Sequence, residues 1–203
     1  MKKSLVLSMV AMLALGGTAF GQDRPKVLLV AAESSAAMEM MIEKEVRPME
    51  QLLKQAGYDV VVASETGKKL GSGAQELTPD MTLDQVKLGD YKGVVFPCMA
   101  ARYPNFIIPE ALIATARSAY EKGMPIAAQV SGVGTLAKAK ILESKNYGGF
   151  SAISSSGGTY QGNGVVQDGK IITSGSCPNA ALYFKWKDGT PELMEAFIRL
   201  LQQ

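Results

Sequence analysis

Short, unbroken apolar runs separated by stretches of helical period constrain this chain more than any other feature. Residues 26–32, Lys26-Val27-Leu28-Leu29-Val30-Ala31-Ala32, lack the alternation of a half-solvated strand and read as a parallel strand buried on both faces. Residues 58–63, 93–97 and 126–130 repeat that pattern. Between the first two runs, Met38, Met41, Ile42, Met49, Leu52 and Leu53 recur at helical spacing over 38–55, with Gly57 as the stop signal. Pro48 falls inside this segment and predicts a kink or a division. Residues 64–80 form a polar, glycine-rich excursion, followed by a short helix near 83–86. Helices are expected over 109–122, 132–140, 178–187 and 191–201. Asp168-Gly169, inside 165–172, marks a tight hairpin. Strands and helices alternating in this order give one α/β domain, a three-layer sandwich around a mostly parallel sheet. No internal repeat or linker divides it.

The first residues belong to a different class of segment. Lys2 and Lys3 precede an apolar run from Leu5 to Leu15 that is too short to span a bilayer, and Ala19-Phe20-Gly21 places small residues at cleavage spacing. A signal peptide over 1–21 is expected, with the domain occupying 22–203 in the periplasm or outside the cell. Cleavage would leave no stable membrane insertion. Removing Lys2 and Lys3 lowers the Lys+Arg count of 21 to 19, equal to the 19 acidic residues. A near-neutral chain without a basic stripe gives no footprint for nucleic acid. The chain has no histidine, which excludes serine–histidine and cysteine–histidine dyads and argues against a catalytic zinc; no cofactor is expected. Cys98 and Cys177 could pair in an oxidising compartment or stand as two buried thiols. A strand lying between theirs would keep their α-carbons too far apart for a bridge.

Five stretches in order carry a resemblance to a known superfamily. They are Lys26 to Ala31 followed by Met38-Glu39, then Ala56-Gly57-Tyr58-Asp59-Val60-Val61-Val62-Ala63-Ser64, then Asp90-Tyr91-Lys92-Gly93-Val94-Val95-Phe96-Pro97. The segment Ile126 to Gly132 and the run Val165 to Ser174 complete the set. Together they resemble the ThiJ/PfpI superfamily, the DJ-one family. The resemblance implies a flavodoxin-like, class I glutamine amidotransferase-like sandwich, often a homodimer, with a small-molecule pocket at the carboxyl ends of the strands. It also implies a cysteine on the elbow after the Ala-Ala strand, a glutamate from the first strand–helix region and an oxyanion site near a Pro-Gly-Gly turn. Glyoxalase-type, deglycase-type and hydrolytic activities are known in the family, and stress-protective roles have been proposed.

Mapped by this register, the pocket departs from the pattern. The elbow position is Val130, followed by Ser131. Pro-Gly-Gly has become Pro97-Cys98-Met99, and a late Gly-Gly-His has become Gly157-Gly158-Thr159. Counting from the first strand places the glutamate at Glu39; counting back from Gly57 points to Glu43 or Glu45. Valine supplies no nucleophile, so the expectation is a pseudoenzyme-like binding protein lined by Met99, Val130, Ser131, Thr159 and Cys177. The competing expectation is an enzyme with relocated chemistry, using Cys98 with Glu39, the thiol activated by helix amides or by Arg102. Cys98 could equally be a packing residue and Glu39 a first-turn helix acid. Ser131 reads as a nucleophile lacking a base, unless Glu39 or Lys138 serves, or as a helix N-cap. Met38, Met40 and Met41 read as core or interface, because adjacent helix positions do not converge on a metal. The glycine–serine stretch 148–158 could present amides to a ligand or form a loop.

Overall fold

The computed structural model describes residues 24–33, 37–99 and 107–203. The expected signal peptide and Arg102 lie outside them. The strands are β1 (Lys26–Ala31), β2 (Asp59–Ser64), β3 (Met81–Thr82), β4 (Tyr91–Phe96), β5 (Ile126–Gln129), β6 (Asn146–Tyr147), β7 (Thr159–Tyr160), β8 (Val165–Asp168) and β9 (Ile171–Ser174). A seven-stranded sheet runs β3-β2-β1-β4-β5-β9-β8, and β6 and β7 form a separate pair. Every pairing in the large sheet is parallel except β8 with β9, the hairpin expected at Asp168-Gly169. Gly169 has a φ of 61°, the backbone region that such a turn requires and glycine enters freely.

Strand alternation divides the apolar residues between two cores. Leu28, Val30 and Ala32 pack under α3 (Glu110–Glu121) and α4 (Ser131–Lys138) through Leu112, Ala116, Val133 and Leu136. Val27, Leu29 and Ala31 face the opposite layer, where Met49, Leu53, Leu193 and Phe197 cover them. That layer holds α1 (Met38–Met41), α2 (Arg47–Gln55), α5 (Pro178–Phe184) and α6 (Thr190–Leu201). Each fully buried Leu or Phe contributes roughly 1.5–3 kcal/mol over its exposed state. Gly93 lets α6 approach the sheet: a Cβ there would lie 2.7 Å from Phe197 Cζ.

The segment 38–55 is a continuous helix with a wide turn in its middle. Ile42–Val46 is π-helical, and the Arg47 amide reaches back to the Ile42 carbonyl. Pro48, which has no N–H to donate, then stands at the start of α2. The expected division at Pro48 is thus taken up by the π turn preceding it. The buried positions Met41, Ile42, Glu45, Val46, Met49 and Leu53 follow one helix face, and Glu45 is the only acid among them.

Candidate functional site

The carboxyl ends of β4, β5 and β9 build the site. Val130 follows β5 at φ 47° and ψ −98°, a strained backbone for any L-residue and especially for a β-branched one. Such a conformation costs about 1–3 kcal/mol and persists only where its surroundings impose it. They do so from both sides. The Val130 amide donates to the Ser174 carbonyl at 2.8 Å, and the Val133 amide donates to the Val130 carbonyl at 3.0 Å. Gly132 packs the first turn of α4 so closely on β4 that a Cβ would fall 2.1 Å from the Phe96 carbonyl oxygen. The result is a sharp strand-to-helix elbow whose side chain is partly exposed.

Glu45 projects from the π turn toward this elbow region and is fully buried. Its Oε1 accepts the Cys98 backbone amide at 2.8 Å, and among the described residues Oε2 has no hydrogen-bond partner. Burial holds the carboxyl protonated well above the ordinary carboxylate range, reinforced by the nearby Cys177; the amides of Cys98 and Met99 and the charge of Asp188 act more weakly.

Cys98 and Cys177 follow β4 and β9, on either side of the elbow strand. As expected, β5 lies between their strands, and both residues stand beyond the strand ends. The Cys98 thiol donates to the Cys177 sulfur, and the two are not bridged. This contact, then burial, then the charge of Glu45 push the Cys98 thiol well above the ordinary range, although the Ser131 amide opposes them. Cys177 is lowered, first by the Cys98 hydrogen bond and then by the Ala180 and Asn179 amides, against the cost of burial. Ser131 Oγ lies 3.9 Å from Cys98 Sγ.

A buried polar network fixes the Cys177 side of the site. Thr190 Oγ1 donates to Gln129 Oε1 at 3.2 Å, while Gln129 Nε2 donates to the Ser176 carbonyl. Ser176 Oγ donates to the Lys187 carbonyl at 2.6 Å. Next to it, Phe150, Phe184 and Trp186 form an aromatic cluster with centroids 5.0–5.6 Å apart.

Several sequence-based expectations are corrected. Glu39 is exposed and accepts from Ser72 Oγ at 3.0 Å; the count back from Gly57 reaches the buried acid, as Glu45, whereas Glu43 is exposed beside Lys44. Thr159 does not line the site. It pairs with Asn146, whose amide donates to Asp168 at the β8–β9 turn, and that turn lies at the amino ends of β5 and β9. Ser131 is the first residue of α4 and makes no capping side-chain bond; the N-cap position is Val130. Met99 brings its backbone to Glu45, but its side chain is buried in the core. The amides of Gly148, Gly149 and Gly158 are engaged by Thr173, Gly162 and Ser156 rather than offered to a ligand. Val130, Ser131, Cys98 and Cys177 do come together. Among the described residues, no group of three or more His, Cys, Asp or Glu side chains could hold a metal ion.

A parallel sheet with helices on both faces and a strained elbow at its carboxyl edge defines an α/β protein of the class I glutamine amidotransferase-like type. Residues 25–187 match the DJ-1/PfpI family, and the chain belongs to it. An uncharacterized protein of Archaeoglobus fulgidus is 30% identical over 138 residues, which cover 65% of this chain and 80% of that protein. The fold is shared with a ThiJ/PfpI domain protein from Brachyspira murdochii (TM-score 0.68, 18% identity, 89% of this chain and 98% of that one). Drosophila melanogaster DJ-1beta is also similar (TM-score 0.57, 23% identity, 88% and 98%).

Proposed function

We propose that this is an exported, homodimeric member of the family that binds a small molecule in the pocket at the strand ends without the usual elbow chemistry. The observation that carries the reading is Val130 on a fully formed elbow: the backbone is there, and the side chain can neither attack nor transfer a proton. Three features support it. Cys98 Sγ occupies the space before the Ser131 amide, where an oxyanion would otherwise be received. The Cys98 thiol is held protonated, which makes it a poor nucleophile at neutral pH. Glu45 is fully buried and burial pushes its carboxyl well above the ordinary range, which suits it to shaping a pocket. Export rests on the amino-terminal pattern of residues 1–21.

The second reading, relocated chemistry on Cys98, is favoured by its partial exposure beside an acid, with Glu45 in the role first given to Glu39. The test is turnover of an α-oxoaldehyde by the mature protein, by Cys98→Ser and by Val130→Cys. Inert wild type and Cys98→Ser, with a newly reactive thiol in Val130→Cys, is the expected result. Wild-type turnover that disappears in Cys98→Ser would replace the binding reading with the enzymatic one.

A further inference from the structure

The end of α5 turns apolar side chains to solvent. Leu182 is 70% and Tyr183 74% exposed, the highest values for large apolar residues among the described ones. Phe184 follows at 51%, with Phe150 beside it at 40%. Consecutive helix positions stand about 100° apart, so the three α5 residues fan over roughly 200° of its surface. No rotation of α5 about its own axis could bury all three, and its buried residue is Ala180. Three exposed apolar residues in a row on a short helix are out of place unless something binds there. The face is also braced from behind. Phe184 meets the Phe150 ring edge-on at 5.2 Å between centroids and the Trp186 ring at 5.0 Å. Lys185, at φ 56°, ends the helix in a left-handed turn that returns Trp186 to this cluster.

Size and charge select the occupant. A whole aromatic side chain covers roughly 150–250 Å², so the exposed fractions of Leu182, Tyr183, Phe184 and Phe150 leave roughly 400 Å² in water. That is half of the about 800 Å² that each partner gives to a standard interface, the right size for its dry centre. No residue of Pro178–Phe184 is charged. Aromatic enrichment with charge depletion is the composition of an interface core. The rim carries both signs, with Lys187 Nζ 3.5 Å from Glu192 Oε2 and Lys185 exposed nearby. Such a rim is complementary to its own copy turned about a twofold axis, where a lysine of one meets a glutamate of the other. It does not match a uniformly anionic lipid surface.

We propose that a second copy of this chain docks on the α5 face, with Leu182 and Tyr183 at the centre of a twofold interface. The inference rests on the reading of the protein as a homodimer and names the face that this reading leaves open. Because α5 begins directly after Cys177, the docked copy stands beside the strand-end pocket.

The test is sedimentation velocity of the mature protein over a dilution series, alone and as two variants. One is the double substitution Leu182→Glu with Tyr183→Glu. The other is Tyr120→Glu, a control at a residue 42% exposed on α3 in the opposite layer. Wild type and the control are expected to be dimers, and the double variant should dissociate at least about a hundredfold more readily. A wild-type dimer that the double variant leaves intact overturns the α5 face and keeps the homodimer. Dissociation by the control to the same extent overturns it equally. A wild type that is monomeric throughout overturns both the face and the homodimer; its binding to phosphatidylglycerol vesicles through Leu182 and Tyr183 would assign the face to a membrane instead. If the double variant does not fold, Trp186, the sole tryptophan, reads the same face in the unsubstituted protein. Its emission should shift to longer wavelength as dilution separates the subunits, and an emission unchanged through that transition overturns the proposal.

Discussion

Glu45 Oε1 accepts the backbone amide of Cys98 at 2.8 Å, joining the π turn of the first helix to the end of β4. The bond fixes the backbone of Cys98 while leaving the second carboxyl oxygen unpartnered among the described residues. That arrangement suits a neutral acid and strains a charged one.

Stability should therefore fall as pH rises. In the unfolded chain Glu45 ionises near the ordinary value, about 4.3, while in the folded chain burial keeps it protonated. Above that value the unfolded state binds fewer protons than the native state, so this group's stabilisation is full below it and diminishes until the raised native value is passed. The slope from one such group approaches about 1.4 kcal/mol per pH unit. Urea melts from pH 4 upward should show a shallower decline for Glu45→Gln; parallel curves for the two proteins would dismiss Glu45 as the source.

Val130→Gly should be close to neutral. The substitution removes a side chain packed against the core and adds unfolded-state entropy, but it also releases strain of about 1–3 kcal/mol at φ 47°. Equilibrium denaturation is expected to show a change within about 1 kcal/mol. A loss several times larger would mean that the turn is not strained for valine.

Gly132→Ala should be severe. Its new methyl carbon would fall 2.1 Å from a backbone oxygen of β4, which cannot swing aside as a side chain could. A loss of about 3 kcal/mol or more is expected, toward the upper end for overpacked sites. Gly164→Ala, where nothing lies within reach of a new Cβ, is the control and should melt almost as wild type does.

Cys98 should label slowly in the reduced native protein. Its thiol is held protonated by Cys177, burial and Glu45, so iodoacetamide labelling should show an apparent pKa above that of an ordinary cysteine. Replacing its hydrogen-bond acceptor in Cys177→Ser should lower that value and speed labelling near neutral pH. Equal rates in the two proteins would deny the coupling between the sulfurs.

The layout of the fold was legible because buried parallel strands leave unbroken apolar runs, as at 26–32 and 93–97, and because Asp168-Gly169 marks its hairpin. The short pairs Asn146–Tyr147 and Thr159–Tyr160 carried no such signal, since two residues are too few for a pattern. The elbow at Val130 could be placed because Ala127, Ala128 and Gly132 hold its register. Glu39 misled because a count forward from β1 cannot see how much chain precedes the π turn. The useful signal was an acid at the core spacing, with Met41 and Met49 one helical turn to either side of Glu45. Thr159 was misplaced because sequence order does not reveal that 148–158 climbs to the site and returns to the sheet's opposite edge. That Cys98 and Cys177 influence each other across β5 follows from the order of strands in the sheet, which no local pattern encodes.

The elbow is shaped by Gly132, the Phe96 carbonyl and the Ser174 carbonyl, none of which is residue 130 itself. Position 130 is therefore a socket rather than a part. Its contents can be exchanged while the surrounding mould stays set, so one codon separates this protein from a member with a thiol in the attacking place.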